Sequence, residues 1–370
     1  MSKYIVKLTP QGKYFFGREM TFETGNESFD EKFSSYIIHS FTMPQQTSLL
    51  GMLRFLLLSN SEDMFDKRKN QIKKDMKDRV DDLIGKQSFT VNDVHERNCY
   101  GKIKNIWPCC LYDTKNNKYY FKAAKKHGLT VSFKATPQKD VTLNGIAIDV
   151  PEIPEYSAKK GLSDFFISSS EDGEVKKACC IFKEDSRIGI RKDYEGKNKN
   201  REGAFYKQIS YRLDDGFCFA FEVDTDDSID LTCYNGSIVN VGADDSKFLF
   251  EATRPDKALP YLKVDDDKMS IVLLSDAYLP CVLDEDEDKG VRFAITKTKA
   301  FRFLRTKNCD DAHNYNVRYY RIRSPKRYDL YEAGSVFYFR DEKSRNEFCK
   351  YIKSFEEFYK IGYNRYCETK

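Results

Sequence analysis

The stretch PQQTSLLGMLRFLLL, residues 44–58, holds a chain reversal, a helix start and the most apolar run of the protein. Pro44 disfavours a helical residue before it, and the hydroxyl of Thr47 or Ser48 can cap the orphan amides of a helix start. Leu49, Leu50, Met52, Leu53, Phe55, Leu56, Leu57 and Leu58 follow almost unbroken. The pattern predicts a helix covered on more than one side, and Gly51 would let a backbone or a ligand approach its first turn. Arg54 stands apart, because a guanidinium inside such a run needs a carboxylate, a phosphate or a route to water. Two readings stay open: a capped core helix with Arg54 in a salt bridge, or helix-start amides and Arg54 that together attract an anion.

N-terminal to this run, residues 4–8 read as a strand and 9–13 as a turn. Residues 14–16 and 20–22 read as a second extended segment broken at Gly17. Strand, excursion and helix open an α+β unit, which later strands could complete as a ferredoxin-like sandwich. C-terminal to the run, Met64, Ile72, Met76, Val80, Leu83 and Ile84 fall mostly at helical spacings. They predict an amphipathic surface helix within 60–85, its KKxxK face solvated in preference to binding nucleic acid. Residues 88–150 read as strand and turn, with strands over 119–122, 130–134 and 146–150. Residues 151–161 form a proline-containing connector and 162–170 a short helix, so a boundary near 180 divides the chain into domains 1–180 and 181–370.

The second half begins with CCIFKEDSRIGIRKDYEGKNKNREGAFYKQISYRL, from residue 179, which runs strand, long Gly/Lys/Asn/Arg loop and strand. This predicts an extended hairpin with Arg191, Lys192, Lys197, Lys199 and Arg201 at its tip. Strands follow over 217–223, 238–242 and 269–274, and LDEDEDKG at 283–290 reads as a solvated acidic turn, a metal site there needing ligands from elsewhere. In AFRFLRTK at 300–307 and NVRYYRIRSPKRYDLYEAGSVFYF at 316–339, Arg318, Arg321 and Arg323 alternate with Tyr319, Tyr320 and Ile322. A basic face beside stackable rings suits single-stranded nucleic acid; an edge strand guarded by its charges is the equal alternative. A helix over 341–360 and the segment IGYNRY complete the chain.

With 370 residues, 40% of them hydrophobic and 32% charged, the composition is that of a soluble globular protein with material for two domains. The 24 Tyr and 28 Phe favour sheet. A net charge of +4 conceals 62 basic and 58 acidic side chains, so nucleic-acid binding would rest on local patches. Eleven scattered cysteines without a CxxC spacing predict free thiols in a cytoplasmic protein. No segment reaches the roughly 18 apolar residues of a membrane span, and no apolar signal core opens the chain. Phosphate-loop, dinucleotide, nucleophile-elbow and zinc-protease motifs are all missing, so no cofactor, metal or catalytic residue is expected. The histidines are far apart, although His39, five residues before Pro44, could serve general acid–base cleavage of RNA.

Three stretches, taken in order, resemble the RAMP-superfamily subunits of type III CRISPR effectors, and within them the third subunit of the type III-B (Cmr) complex. They are PQQTSLLGMLR, then RIGI at 187–190 with REGAFY at 201–206, and AGSVFYF at 333–339. VGADDSKFLFE at 241–251 and the terminal IGYNRY are fainter echoes, with aspartates and a single Gly362 where that family carries more glycine. The resemblance implies an α+β protein of two ferredoxin-like (RRM-like) domains with an inserted basic β-hairpin. Such a protein holds the 5′ repeat-derived tag of the CRISPR RNA and does no catalysis of its own. It would sit between the large polymerase-like signalling subunit and the backbone subunit, meeting target RNA only indirectly. RNA-binding residues are then expected at His39, Gln45, Gln46, Thr47, Ser48 and Arg54. Others are expected on the hairpin at Arg187, Gly189, Arg191, Lys192, Lys197, Lys199, Arg201 and Tyr206, and on the late strand at Arg318, Arg321 and Arg323. The alternatives are a CRISPR-repeat endoribonuclease of the same superfamily and an assembly protein that touches only other proteins.

Overall fold

The computed structural model describes residues 1–18, 22–24, 35–69, 71–73, 75–86, 88–91, 99–133, 142–143, 146–147, 151–159, 161–162, 164–190, 205–264, 269–280, 282, 290–307, 320–324 and 326–369. They form a mixed α+β chain, mostly strand, in two compact units. One unit comprises Met1–Asn117, Cys179–Leu259 and Arg302–Arg327; the other comprises Lys118–Ala178, Pro260–Phe301 and Tyr328–Lys370. The units do not follow a single cut near residue 180. Strand Phe217–Thr225, beyond that cut, pairs with both Ser2–Pro10 and Cys110–Asp113.

The first unit is built on Ser2–Pro10, whose Tyr4, Val6 and Leu8 point into the core at period two, each at most 1% exposed. This strand is central: Phe217–Thr225 pairs antiparallel on one side and Lys247–Thr253 on the other. Beyond Phe217–Thr225 lie Cys110–Asp113 and Ile103–Ile106, and beyond Lys247–Thr253 lies Ile238–Asn240. Tyr14, Phe16, Phe219 and Phe248 gather with ring centroids 4.7–6.1 Å apart. Such pairs add about 0.5–1.5 kcal/mol each beyond burial, which is one use of the heavy aromatic load.

The apolar run forms helix Gln46–Ser59, which contacts Ile103–Ile106, Phe65–Asp66, Ile238–Asn240 and a second helix, Lys77–Ile84. The longer helix expected within 60–85 reduces to that second one. Ahead of it Phe65–Asp66 pairs with Gln71–Ile72, and the Asp66 carboxylate accepts from the amides of Arg68 and Lys69 at 3.0 and 3.1 Å. A local turn of this kind competes with helix. Leu58, Met64, Phe65 and Val80 still pack together, with Met76, Leu83 and Ile84 against them, so the apolar spacing marks a cluster rather than one continuous helical face.

The expected hairpin is present as Phe182–Ile190 against Phe205–Leu213, in register from Phe182↔Leu213 to Ile190↔Phe205. Its second strand runs parallel to Ser35–Phe41, which also carries Phe16–Gly17 and Phe22–Thr24. The hairpin tip, 191–204, lies outside the described residues.

In the second unit, Phe165–Ser168 is a strand between Lys118–Lys122 and Val175–Lys177. The short helix expected over 162–170 gives way there because Phe166 and Ser168 alternate inward, at 1% and 2% exposure, with half-buried neighbours. Val336–Phe339 pairs with Ser270–Val272 and Val291–Ile295, and Phe348 and Ile352 of helix Glu342–Ser354 join its core. The Asp341 carboxylate caps that helix, accepting from Ser344 N at 2.7 Å. The single helix expected over 341–360 breaks at Phe355 (ψ 64°) before Glu356–Lys360.

Two of the stretches singled out in the sequence, AGSVFYF and IGYNRY, carry the fold here. Gly334 sits at φ +82°, where a Cβ would lie 2.3 Å from the Ala123 carbonyl oxygen. In the terminal loop Tyr363 and Asn364 are fully buried. The Asn364 carboxamide accepts from Tyr278 N at 2.8 Å and donates to the carbonyls of Tyr278 and Ile352. The acidic run at 283–289 lies outside the described residues.

Candidate functional site

Helix Gln46–Ser59 starts two residues before Ser48, with the extended Gln45 (φ −74°, ψ 143°) at its N-cap. The amides of Ser48 and Leu49 reach back to the Gln45 carbonyl at 2.9 and 3.2 Å. The Gln45 side chain makes no cap hydrogen bond, and no acidic residue occupies the helix's first turn. The cap expected from Thr47 or Ser48 is therefore not made: both hydroxyls already stand inside the turn, and the helix's own first turn offers no anion to the positive end of its dipole.

A groove of about 590 Å³ runs along the outward side of this helix. Gln45, Thr47, Ser48, Gly51, Arg54 and Phe55 line it from the helix; Phe89, Asn240, Gly242, Arg302, Phe303 and Leu304 face them. Among the described residues its only charged lining side chains are the two arginines. Gly242 sits at φ +91°, and a Cβ there would come 2.5 Å from the Phe15 carbonyl oxygen, so the VGADD turn folds tightly against the first sheet.

Arg54 is half-buried. Its Nη2 donates to the Gly85 carbonyl at 3.0 Å, tying the first helix to the end of Lys77–Ile84. Its Nε is buried without a hydrogen-bond partner among the described residues. Burial holds its pKa below the usual guanidinium range, against the opposing pull of Tyr100, Cys99 and Asp81. Among the described residues the salt bridge of the plainer sequence reading is not formed. What the structure supplies instead is a backbone carbonyl and a charge facing a groove in which no carboxylate stands among the described lining residues.

Gln45, Thr47, Ser48 and Arg54 thus line one groove. Gln46 does not join them: it is 5% exposed, its Nε2 donates to the Trp107 carbonyl at 2.9 Å, and it serves the core. His39 lies on Ser35–Phe41, opposite Ile209 of the hairpin strand. Gly189 and Tyr206 are cross-strand partners. A Cβ on Gly189 would meet the Tyr206 ring at 2.2 Å, so the ring lies across the bare strand, and Arg187 Nη2 donates to the Tyr206 hydroxyl at 3.4 Å. Arg191, Lys192, Lys197, Lys199, Arg201 and Arg318 fall outside the described residues. Arg321 and Arg323 belong to strand Tyr320–Arg323, in register with Thr306 and Leu304, the latter a groove residue. Asn240, Phe89 and the exposed position of Phe55 escaped the sequence reading. Arg302 and Phe303 had a signal in the alternation of AFRFLRTK.

Among the described residues no group of three or more His, Cys, Asp or Glu side chains gathers as a metal site would require, and no helix is long and apolar enough to cross a membrane. Comparison with curated proteins finds no match. Among solved structures, a chain of the type III-B Cmr-beta bound to cognate target RNA aligns over 99% of this chain and 96% of its own length, at 15% identity and a TM-score of 0.51. A chain of the same assembly bound to cognate target RNA and AMPPnP covers 98% and 94%, at 16% identity and a TM-score of 0.49. A chain of the Csm3–Csm4 subcomplex of the type III-A interference complex covers 91% and 93%, at 10% identity and a TM-score of 0.36. The first of these is a likeness of fold. The family model described as CRISPR-associated protein (Cas_Cmr3) matches residues 6–367, nearly the whole chain, and the protein belongs to that family.

Proposed function

We propose that this chain is a non-catalytic RNA-binding subunit of a type III-B CRISPR effector complex, the third subunit. In this reading it holds the 5′ repeat-derived tag of the CRISPR RNA and links the large signalling subunit to the backbone filament in the cytoplasm. The observation that carries it is the groove along Gln46–Ser59, with Arg54 and Arg302 as its only charged lining among the described residues and an uncapped helix N-terminus at one end. Backbone amides, guanidinium groups and aromatic rings are the equipment for gripping a single strand by phosphate and base. The strand order of the first unit supports one ferredoxin-like domain: the first strand is central, flanked antiparallel by a third and a fourth, with the second outside the third and the helix as first crossover. A second such domain in the other unit belongs to the same proposal.

Purification from cells transcribing the matching CRISPR locus tests the reading. RNA with one defined 5′ end is expected to copurify, and no RNA, or RNA of random ends, would overturn it. Removing Lys197, Lys199 and Arg201 together is expected to lower the slope of log affinity against log salt by roughly 2, at about 0.7 per phosphate contact on a single strand. Incubation with repeat RNA, with and without divalent metal, separates holder from nuclease. Specific cleavage abolished by His39→Ala would move the chain to the endoribonuclease class.

A further inference from the structure

Phe55 departs from the behaviour of its own helix. Leu53, Leu56 and Leu57 around it are at most 4% exposed, whereas Phe55 leaves 51% of its surface to solvent. Its ring stands edge-on to Phe65, with centroids 6.2 Å apart and planes at 84°, which fixes one side of the ring and its orientation. One turn earlier, a Cβ added to Gly51 would meet nothing within 4 Å. Helical side chains lean toward the N-terminus, so the open space at Gly51 adjoins the ring. Both residues line the groove, and across it Leu304 is also 51% exposed. The groove's volume of about 590 Å³ lies in the range that takes a ligand of nucleotide size. Among the described residues its lining includes two guanidinium groups and no carboxylate, which complements a polyanion.

Resting on the RNA reading above, we propose that Phe55 is the stacking platform for one unpaired RNA base, which enters over Gly51 while the arginine-lined groove faces the adjoining phosphates. Every base has a π face, so this position is gripped without base preference.

The test uses the full chain and single-stranded RNA of its repeat-derived sequence, with 2-aminopurine substituted at one position at a time. In the wild type a single position is expected to change its fluorescence on binding. Phe55→Leu keeps an apolar side chain against Phe65 but removes the ring; it is expected to abolish that change and weaken binding about 5- to 150-fold. Phe55→Trp should preserve both, and Gly51→Leu, which fills the approach, should weaken binding while leaving the thermal melt unimpaired. If the wild type binds no RNA, the RNA reading falls and this role with it. If the wild type binds but a folded Phe55→Leu binds equally and no position responds, only the stacking role is overturned. Loss of a partner subunit by Phe55→Leu at unchanged RNA affinity would likewise overturn it, marking the groove as a protein-docking surface.

Discussion

Three ammonium groups share two carboxylates in the second unit. Lys125, whose side chain is 3% exposed, lies 3.3 Å from Glu332 and 3.7 Å from Asp164. Lys122 approaches Asp164 at 3.9 Å, and Lys297 approaches both acids at 3.8 Å. Burial and then Lys122 push the Lys125 pKa down, against the pull of Glu332 and Asp164. Taking away one lysine leaves two on two, so Lys125→Met is expected to change stability by no more than about 1 kcal/mol. Glu332→Ala leaves three lysines on one carboxylate and is expected to cost about 3–5 kcal/mol. Urea unfolding midpoints measure the difference, and equal losses would refute the account. Burial raises the Asp164 pKa, but the three lysines outweigh it and hold it below the ordinary carboxylate value. Its contribution is therefore complete above its unfolded pKa of about 3.9 and is lost as pH falls through the lower folded value. At neutral pH the network is intact, and acid is what dissolves it.

At the scale of one element, the uncapped start of Gln46–Ser59 sets stability against binding. Gln45→Ser or Gln45→Asp would place a capping oxygen at the N-cap and is expected to stabilise the fold by about 0.5–2 kcal/mol. Asp also brings negative charge to the mouth of the groove and claims amides that a phosphate would need. Gln45→Asp is expected to raise Tm while weakening RNA binding, and Gln45→Ser to raise Tm with a smaller loss. If Gln45→Asp is stabilised yet binds RNA as tightly as the wild type, the helix amides do not meet a phosphate. This helix was legible in the sequence because eight apolar residues in ten demand that most of its faces be covered. Its start was displaced because Thr47 and Ser48 satisfy a capping pattern from inside the first turn, where residue type cannot reveal backbone conformation. The hairpin was legible for a different reason: two strand-like runs flank a loop too polar to be buried. Gly189 lay within that reading, but the ring of Tyr206 across it did not, since the pairing register appears only in three dimensions.

For the whole molecule, local patterns located most strands but not their partners. Tyr4, Val6 and Leu8 announce an inward face, yet nothing near them in sequence says that Phe217–Thr225 covers one side and Lys247–Thr253 the other. A boundary near residue 180 followed the change of composition, whereas contacts across more than 200 residues built the first unit. This makes the last prediction sharp. A fragment of residues 1–180 lacks Phe217–Thr225, whose Phe219, Ala220, Phe221 and Val223 are 0% exposed. It also lacks Lys247–Thr253 on the other edge of the central strand. Both edges of Ser2–Pro10 would then present unpaired backbone groups and bare apolar side chains, the condition under which strands aggregate. The fragment is expected to be insoluble or to melt without a cooperative transition. Co-expression with 181–370 should restore a single cooperative melt, because every strand of the first unit is again present. A soluble 1–180 fragment with dispersed amide resonances and its own sharp transition would show that the long-range pairing is not what holds the first unit together.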